Sequence, residues 1–199
     1  MAHIDYFVSL LSPYAYLAGT RLEEIAARHG ATIAYRPFDI TALFARTGGT
    51  PVKDRHPNRL AWRAQDLPRQ AARHGLALNL KPAHWPTNPA PASYAVITAG
   101  ATGGGDMGAL VHGLLAACWA EERDIAEDAV IRDCLTQAGF DPALADSGLL
   151  SGAEAYAANL EAAVAAGVFG APFYVVDSGQ NFWGQDRLDD LDLHLAGKL

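Results

Sequence analysis

At 199 residues, half of them hydrophobic and 19% charged, the chain can bury one sizeable core or a domain carrying an insertion, and it is too apolar to stay disordered. A formal net charge of −7 with scattered basic residues excludes a nucleic-acid partner, which would require a concentrated basic face. There is no apolar run of about 18 residues, and Asp5 arrives before any basic, cleavable leader pattern. No membrane partner is therefore expected, and the chain reads as soluble and cytoplasmic.

His3 to Leu11 is an apolar run of strand length that stops before Ser12-Pro13 and predicts a buried first strand. Ser12 offers an N-cap hydroxyl and Pro13 suits the first helical position. Leu17, Leu22, Ile25 and Ala26 then follow at helical spacing until Gly30, which predicts one helix. Thr32 to Phe38 alternates and is rich in β-branched and aromatic residues, predicting a second strand parallel to the first.

From Asp39 to about Ala166 strand-like alternation disappears. The patterns predict helices near Pro57–His74, Ala90–Ala101, Met107–Glu122, Asp128–Ala138 and Ser151–Ala166. The tract from Lys81 to Pro91 carries too much proline for a regular element and predicts an extended loop. Gly103-Gly104-Gly105 has neither the following Gly-Lys-Ser/Thr nor the preceding strand of a phosphate loop, and reads as a flexible insertion. After Gly167, Phe173–Val176 and Asn181–Trp183 flank the turn signal Asp177-Ser178-Gly179-Gln180, and Leu188, Leu191 and Leu195 predict a closing helix.

The order is therefore βαβ, a helical block, then ββα. This is an α/β chain with a thioredoxin-like fold in residues 1–38 and 167–199, interrupted by an all-helical insertion over 39–166. Cys118 and Cys134 are the only cysteines. They form no Cys-x-x-Cys and read as small buried hydrophobes. The histidines make no metal-ligand pattern, so no metal is expected. His29 and His74 each stand in Arg-His-Gly, which suits a last helical turn with a glycine cap.

Three short segments carry the candidate chemistry, and each also has a plain structural reading. Ser12-Pro13 can be an ordinary helix start, yet it occupies the slot that Cys-x-x-Cys fills in disulfide oxidoreductases. A hydroxyl there cannot exchange disulfides, but it can hydrogen-bond a thiolate supplied by glutathione. Gly170-Ala171-Pro172-Phe173 can be a tight strand start, or it can present the backbone of Ala171, before a cis proline, to an extended peptide. Gly184-Gln185-Asp186-Arg187 can be a capped helix start, or its N–H groups and carboxylate can meet a γ-glutamyl end.

Phe7-Val-Ser-Leu-Leu-Ser-Pro-Tyr-Ala-Tyr-Leu17, Gly167-Val-Phe-Gly-Ala-Pro-Phe173 and Phe182-Trp-Gly-Gln-Asp-Arg-Leu188 together resemble motifs of the 2-hydroxychromene-2-carboxylate isomerases and the similar kappa-class glutathione transferases. The resemblance spans essentially the whole chain, taking in Thr47-Gly-Gly-Thr-Pro51, Asp66-Leu67, Trp119–Asp124 and Ala138-Gly-Phe-Asp141.

It implies a homodimeric enzyme with glutathione as cofactor and a small aromatic substrate. By the same resemblance Ser12 bonds the glutathione sulfur, Ala171 and Pro172 pair with its cysteinyl unit, and Gln185 and Asp186 meet its γ-glutamyl end. Arg59 falls near its glycyl carboxylate. Gly49 stands where several relatives have asparagine, leaving polar contact to the backbone or Thr50, and Trp62 replaces a common tyrosine. Phe38, Trp62, Trp85 and Tyr94 are the candidates for walls of an aromatic pocket.

The implied reaction opens a 2-hydroxychromene-2-carboxylate-like ring to a trans-o-hydroxybenzylidenepyruvate-like acid by reversible thiolate addition. A kappa-like transferase or peroxidase, and a glutathione-binding module without catalysis, remain alternatives on the sequence.

Overall fold

The computed structural model describes all 199 residues. In chain order the elements are β1 (His3–Val8), α1 (Pro13–Tyr16), α2 (Arg21–His29), β2 (Thr32–Pro37), α3 (Ile40–Thr47), α4 (Pro57–His74) and α5 (Ala90–Thr102). They continue with α6 (Met107–Trp119), α7 (Asp128–Gln137), α8 (Leu144–Ser147), α9 (Leu149–Ala165), β3 (Phe173–Val176), β4 (Asn181–Trp183) and α10 (Leu188–Leu195). Single 3-10 turns at Val52–Asp54 and Gln185–Arg187 precede α4 and α10.

The strands form one mixed sheet in the order β2-β1-β3-β4. β1 runs parallel to β2, with His3 opposite Thr32, and antiparallel to β3, with Phe7 opposite Phe173; β4 closes the β3 hairpin. This is the thioredoxin-like arrangement, with helices alone between β2 and β3.

β1 reads as a continuous apolar run because it is a central strand covered on both faces. Ile4, Tyr6 and Val8 point into the larger core, whereas Phe7 points the other way and packs with Phe38, Leu43, Ala163, Val168 and Phe173. The larger core includes Ile4 and Tyr174 of the sheet together with Leu67, Val96, Leu110, Trp119 and Leu135 of the helical block. The block and the sheet therefore share one interior.

The single helix expected from Pro13 to Gly30 is two helices. α1 stops after one turn, Gly19 takes φ +59°, and α2 starts afresh at Arg21. α3 was not among the expected helices; Asp39 caps it by accepting from the Thr41 and Ala42 N–H groups. α6 ends at Trp119 rather than Glu122, because Glu122 takes φ +55° and its carboxylate accepts from the Ala83 N–H. Gly30 and Gly75 cap α2 and α4 in the left-handed conformation behind His29 and His74.

Gly103 and Gly104 take positive φ in open space, whereas Gly105 is packed. A Cβ at Gly105 would lie 2.7 Å from the Ala138 carbonyl and the Phe140 ring. Cys118 and Cys134 are free and buried. No helix is long and apolar enough to cross a membrane.

Candidate active site

Pairing β1 antiparallel to β3 sets the end of one strand against the start of the other, so Ser12 and Ala171 meet at the same edge of the sheet. Ser12 caps α1 with extended backbone (φ −92°, ψ 116°), and its Oγ accepts the Ala15 N–H at 3.2 Å. The same hydroxyl donates its proton to the Ala171 carbonyl at 3.0 Å. The Ala171–Pro172 bond is cis. The Pro172 carbonyl accepts from Gly184 N–H at 3.0 Å, which brings the Gly184–Arg187 turn to this edge too. All three sequence segments thus converge.

α1 is only four residues long. Its aligned dipoles are too few to supply the field of a full helix, so direct hydrogen bonding has to provide most of the anion stabilisation expected here. Ser12 Oγ is one donor. Pro13 has no N–H, which leaves the Tyr14 N–H as the first free backbone donor of the turn.

The Gln185 side chain is engaged within the protein, which leaves its backbone for the ligand contact expected of this turn. Its side chain is 2% exposed, with Oε1 accepting from Arg21 and Nε2 donating to Gln70 Oε1 at 3.1 Å. Arg21, half-buried and with its guanidinium pKa lowered by burial, donates to Gln185 Oε1 and to the Leu17 and Ala18 carbonyls. Any ligand contact from Gln185 is therefore limited to its backbone. Asp186 is exposed and pairs with Arg187 at 2.9 Å.

The network extends across the site. Gln70 donates to Asp66 Oδ1 at 3.2 Å, and Tyr14 donates to Asp66 Oδ2 at 3.1 Å. A continuous hydrogen-bonded chain thus runs Tyr14–Asp66–Gln70–Gln185–Arg21 beneath the converged segments. Sequence reasoning missed Arg21, Asp66 and Gln70 as parts of the site. For Arg21 a signal existed: an arginine in the first position of a helix opposes the macrodipole and needs another purpose.

Arg55 donates from Nε to the Thr50 carbonyl at 2.9 Å, so the Thr50 backbone is tied to Arg55. Gly49 has a packing reason, because any side chain there would overlap the Phe44 ring. Arg59 is exposed, and Arg63 lies with its guanidinium carbon 5.9 Å above the Trp85 ring. Trp85 donates from Nε1 to the Leu11 carbonyl at 3.2 Å, one residue before Ser12, and the Trp85–Pro86 bond is cis.

The aromatic quartet does not form one wall. Phe38 is 1% exposed inside the smaller core, Trp62 is 57% exposed to solvent, and Tyr94 packs against Tyr156 with ring centres 5.5 Å apart. Only Trp85 is tied to the Ser12 segment. A cleft of about 350 Å³ opens beside it between Leu11, the start of α3 and the Pro86–Ala90 loop. A larger depression, about 470 Å³ around Phe182 and His194, lies toward the opposite end of the sheet and away from this chemistry. No group of three His, Cys, Asp or Glu side chains could hold a metal ion.

A thioredoxin-like sheet with serine in the redox-cysteine slot, facing the residue before a cis proline, defines a thioredoxin-fold protein that works without a sulfur of its own at that position. The model of the DSBA-like thioredoxin domain matches residues 3–196. The chain is 30% identical over 195 residues to a 2-hydroxychromene-2-carboxylate isomerase of Sphingobium xenophagum, covering 96% of this chain and 97% of that one.

A solved 2-hydroxychromene-2-carboxylate isomerase superposes with a TM-score of 0.78 at 25% identity, covering 98% of this chain and 95% of the other. A cytosolic disulfide reductase DsbM from Pseudomonas aeruginosa, solved with GSH, shares the fold at TM-score 0.69 and 20% identity, with 98% of each chain covered. The chain belongs to the DSBA-like thioredoxin family and, within it, to the 2-hydroxychromene-2-carboxylate isomerases.

Proposed function

We propose that this chain is a glutathione-dependent isomerase that interconverts a 2-hydroxychromene-2-carboxylate-like compound and its trans-o-hydroxybenzylidenepyruvate-like open form. The Ser12–Ala171 hydrogen bond carries the reading, because it sets a rotatable hydroxyl beside a backbone carbonyl suited to an extended tripeptide. The family supports the isomerase class, and the residues at the site fit glutathione. Ala171 O has Ser12 as its internal donor, Arg59 has no carboxylate partner, and the Asp186 carboxylate, paired with Arg187, is exposed and would reach an ammonium from solvent.

Glutathione, when bound, supplies a thiolate that adds reversibly to a conjugated double bond and so permits rotation about it. The chain's own residues prepare that step. Ser12 Oγ keeps accepting the Ala15 N–H, which fixes its oxygen, while its proton turns from Ala171 O toward the sulfur. Ala171 O would then be free to accept a peptide N–H of the ligand. Tyr14 N–H would add a second donor, and Arg59 would hold the glycyl carboxylate. Such a role belongs in the cytoplasm, where glutathione stays reduced, and the free buried Cys118 and Cys134 accord with that compartment.

The test is conversion of the chromene acid with and without glutathione, with total thiol counted throughout. The reading requires conversion that depends on glutathione and leaves the thiol count constant. Loss of thiol in proportion to product would instead establish a transferase or peroxidase. Tight glutathione binding without any acceleration would establish a binding module.

A further inference from the structure

Arg59 and Arg63 stand one turn apart on α4 with Arg55 just before it, and none has a carboxylate within ion-pair distance. Arg28, Arg36, Arg46, Arg123, Arg132 and Arg187 each has one, and of the other unpaired arginines Arg21 is held by Gln185 and backbone carbonyls, Arg69 bonds Gln65 and Arg73 is exposed to solvent. Carboxylates are not scarce in a chain of formal charge −7. Asp66, one turn beyond Arg63 on α4, is already committed to Tyr14 and Gln70. Burial pushes the Arg55 and Arg63 pKa values down, and Arg55 is further repelled by Arg59 and Arg63. Partly desolvated cations that repel one another and lack counter-ions destabilise the structure until an anion arrives from outside.

Their arrangement also sorts them. Arg59 is exposed at the rim. Arg63 is half-buried and held on Trp85, whose own indole is tied to Leu11 and packed 5.5 Å from Trp119. A guanidinium resting over a ring in that way is restrained before a ligand binds, and with no hydrogen bond of its own it presents a planar fork suited to a carboxylate. Trp85 is bonded to Leu11, one residue before Ser12, and the Tyr14 hydroxyl lies within electrostatic reach of Arg55 and Arg63, so the fork stands near the turn that Ser12 caps.

We propose that Arg63, held on Trp85 and backed by Arg55, is the subsite that takes the carboxylate of a planar aromatic acid, separate from Arg59 and the tripeptide. The inference rests on the proposed isomerase reading for the class of acid, while the charge cluster stands apart from it. The rival source of the same chemistry is a carboxylate of glutathione itself.

Calorimetric titration separates these possibilities. Coumarin-3-carboxylate and coumarin-3-carboxamide are titrated into the protein with and without glutathione, and glutathione is titrated alone, using wild type, Arg63→Gln, Arg63→Lys and Arg59→Gln. Wild type is expected to prefer the carboxylate by about tenfold or more, the worth of a charge-assisted bidentate contact.

Arg63→Gln should bring the two coumarins to roughly equal affinity, within about twofold, while glutathione affinity also changes by less than about twofold. Arg63→Lys should recover part of the preference, and Arg59→Gln should weaken glutathione while keeping it. Equal binding of the two coumarins to wild type would overturn the proposal, a result that needs no variant to fold. A preference that survives Arg63→Gln, or a large loss of glutathione affinity in that variant, would overturn it as well. If no variant binds glutathione yet the preference follows Arg63, the cofactor reading fails and the subsite stands.

Discussion

The Ser12 hydroxyl donates to the Ala171 carbonyl at 3.0 Å across 159 residues of sequence, so the proton proposed to serve a ligand is already committed within the protein. Binding becomes an exchange: Ser12 releases Ala171 O, and the ligand's N–H replaces it. In Ser12→Ala the carbonyl loses its internal donor but is free to accept from the tripeptide, and these effects oppose each other. We expect glutathione affinity to stay within about threefold and turnover to fall by about tenfold or more, the usual worth of a charge-assisted bond. Loss of the N-cap should lower the unfolding free energy by about 1 kcal/mol. Steady-state kinetics with urea denaturation checks both, and wild-type turnover would remove Ser12 from the mechanism.

Two glycines matter for different physical reasons. A Cβ at Gly152 would lie 2.7 Å from Tyr94 Cβ and 2.9 Å from Tyr94 Cα, so Gly152→Ala forces α9 off α5. Gly184 sits at φ +108°, where a Cβ would also meet Asp186 Oδ1 at 2.5 Å. Gly152→Ala should cost about 1–3 kcal/mol through overpacking, and Gly184→Ala about 1–3 kcal/mol through backbone strain. Only Gly184→Ala should also weaken glutathione binding, because its turn carries Asp186. Thermal unfolding and calorimetry distinguish the two.

Glu23 is a half-buried carboxyl whose Oε1 accepts from Tyr35 at 2.6 Å while its buried Oε2 has no partner. Burial raises its pKa above the ordinary 4.5, the Tyr35 bond only partly offsetting this. The folded state therefore binds this proton more tightly than the unfolded chain. Its contribution is full below the unfolded value, declines as pH rises through the interval up to the raised folded value, and is flat beyond it. Glu23→Gln should remove that decline. Denaturation midpoints measured from acid to neutral pH test this, and parallel profiles for the two proteins would contradict it.

Burial pushes the Cys118 thiol up to about 12 and the Cys134 thiol up to about 11. Neither should react with a disulfide reagent at neutral pH in the native protein, and both should react in denaturant. Thiols counted during turnover would then be glutathione's alone. Native-state labelling of either cysteine would contradict this.

The sequence made β1, β2, the β3–β4 hairpin and α4 legible because each has a clean period or a clear terminator, such as Gly75 after His74. The break between α1 and α2 was hidden because the apolar residues Ala18, Leu22, Ile25 and Ala26 keep helical spacing across Gly19. At the site, motif order placed Ser12 and Ala171, but no local pattern shows that Arg21 and Gln70 occupy the Gln185 side chain. That pairing joins α2, α4 and the turn before α10, and tertiary packing alone decides it. Phe38 was misplaced for a similar reason. An aromatic at the end of a strand reads alike whether it faces a cleft or, as here, the core between β1 and α9.

The most direct test is the pH titration of bound glutathione by its thiolate ultraviolet absorbance, in wild type and Ser12→Ala. If Ser12 stabilises the sulfur anion, the bound thiol titrates well below the free thiol in wild type and climbs back by about one unit or more in Ser12→Ala, each unit being about 1.4 kcal/mol. Coincident curves for the two proteins, or a bound thiol that titrates like free glutathione, would contradict the account.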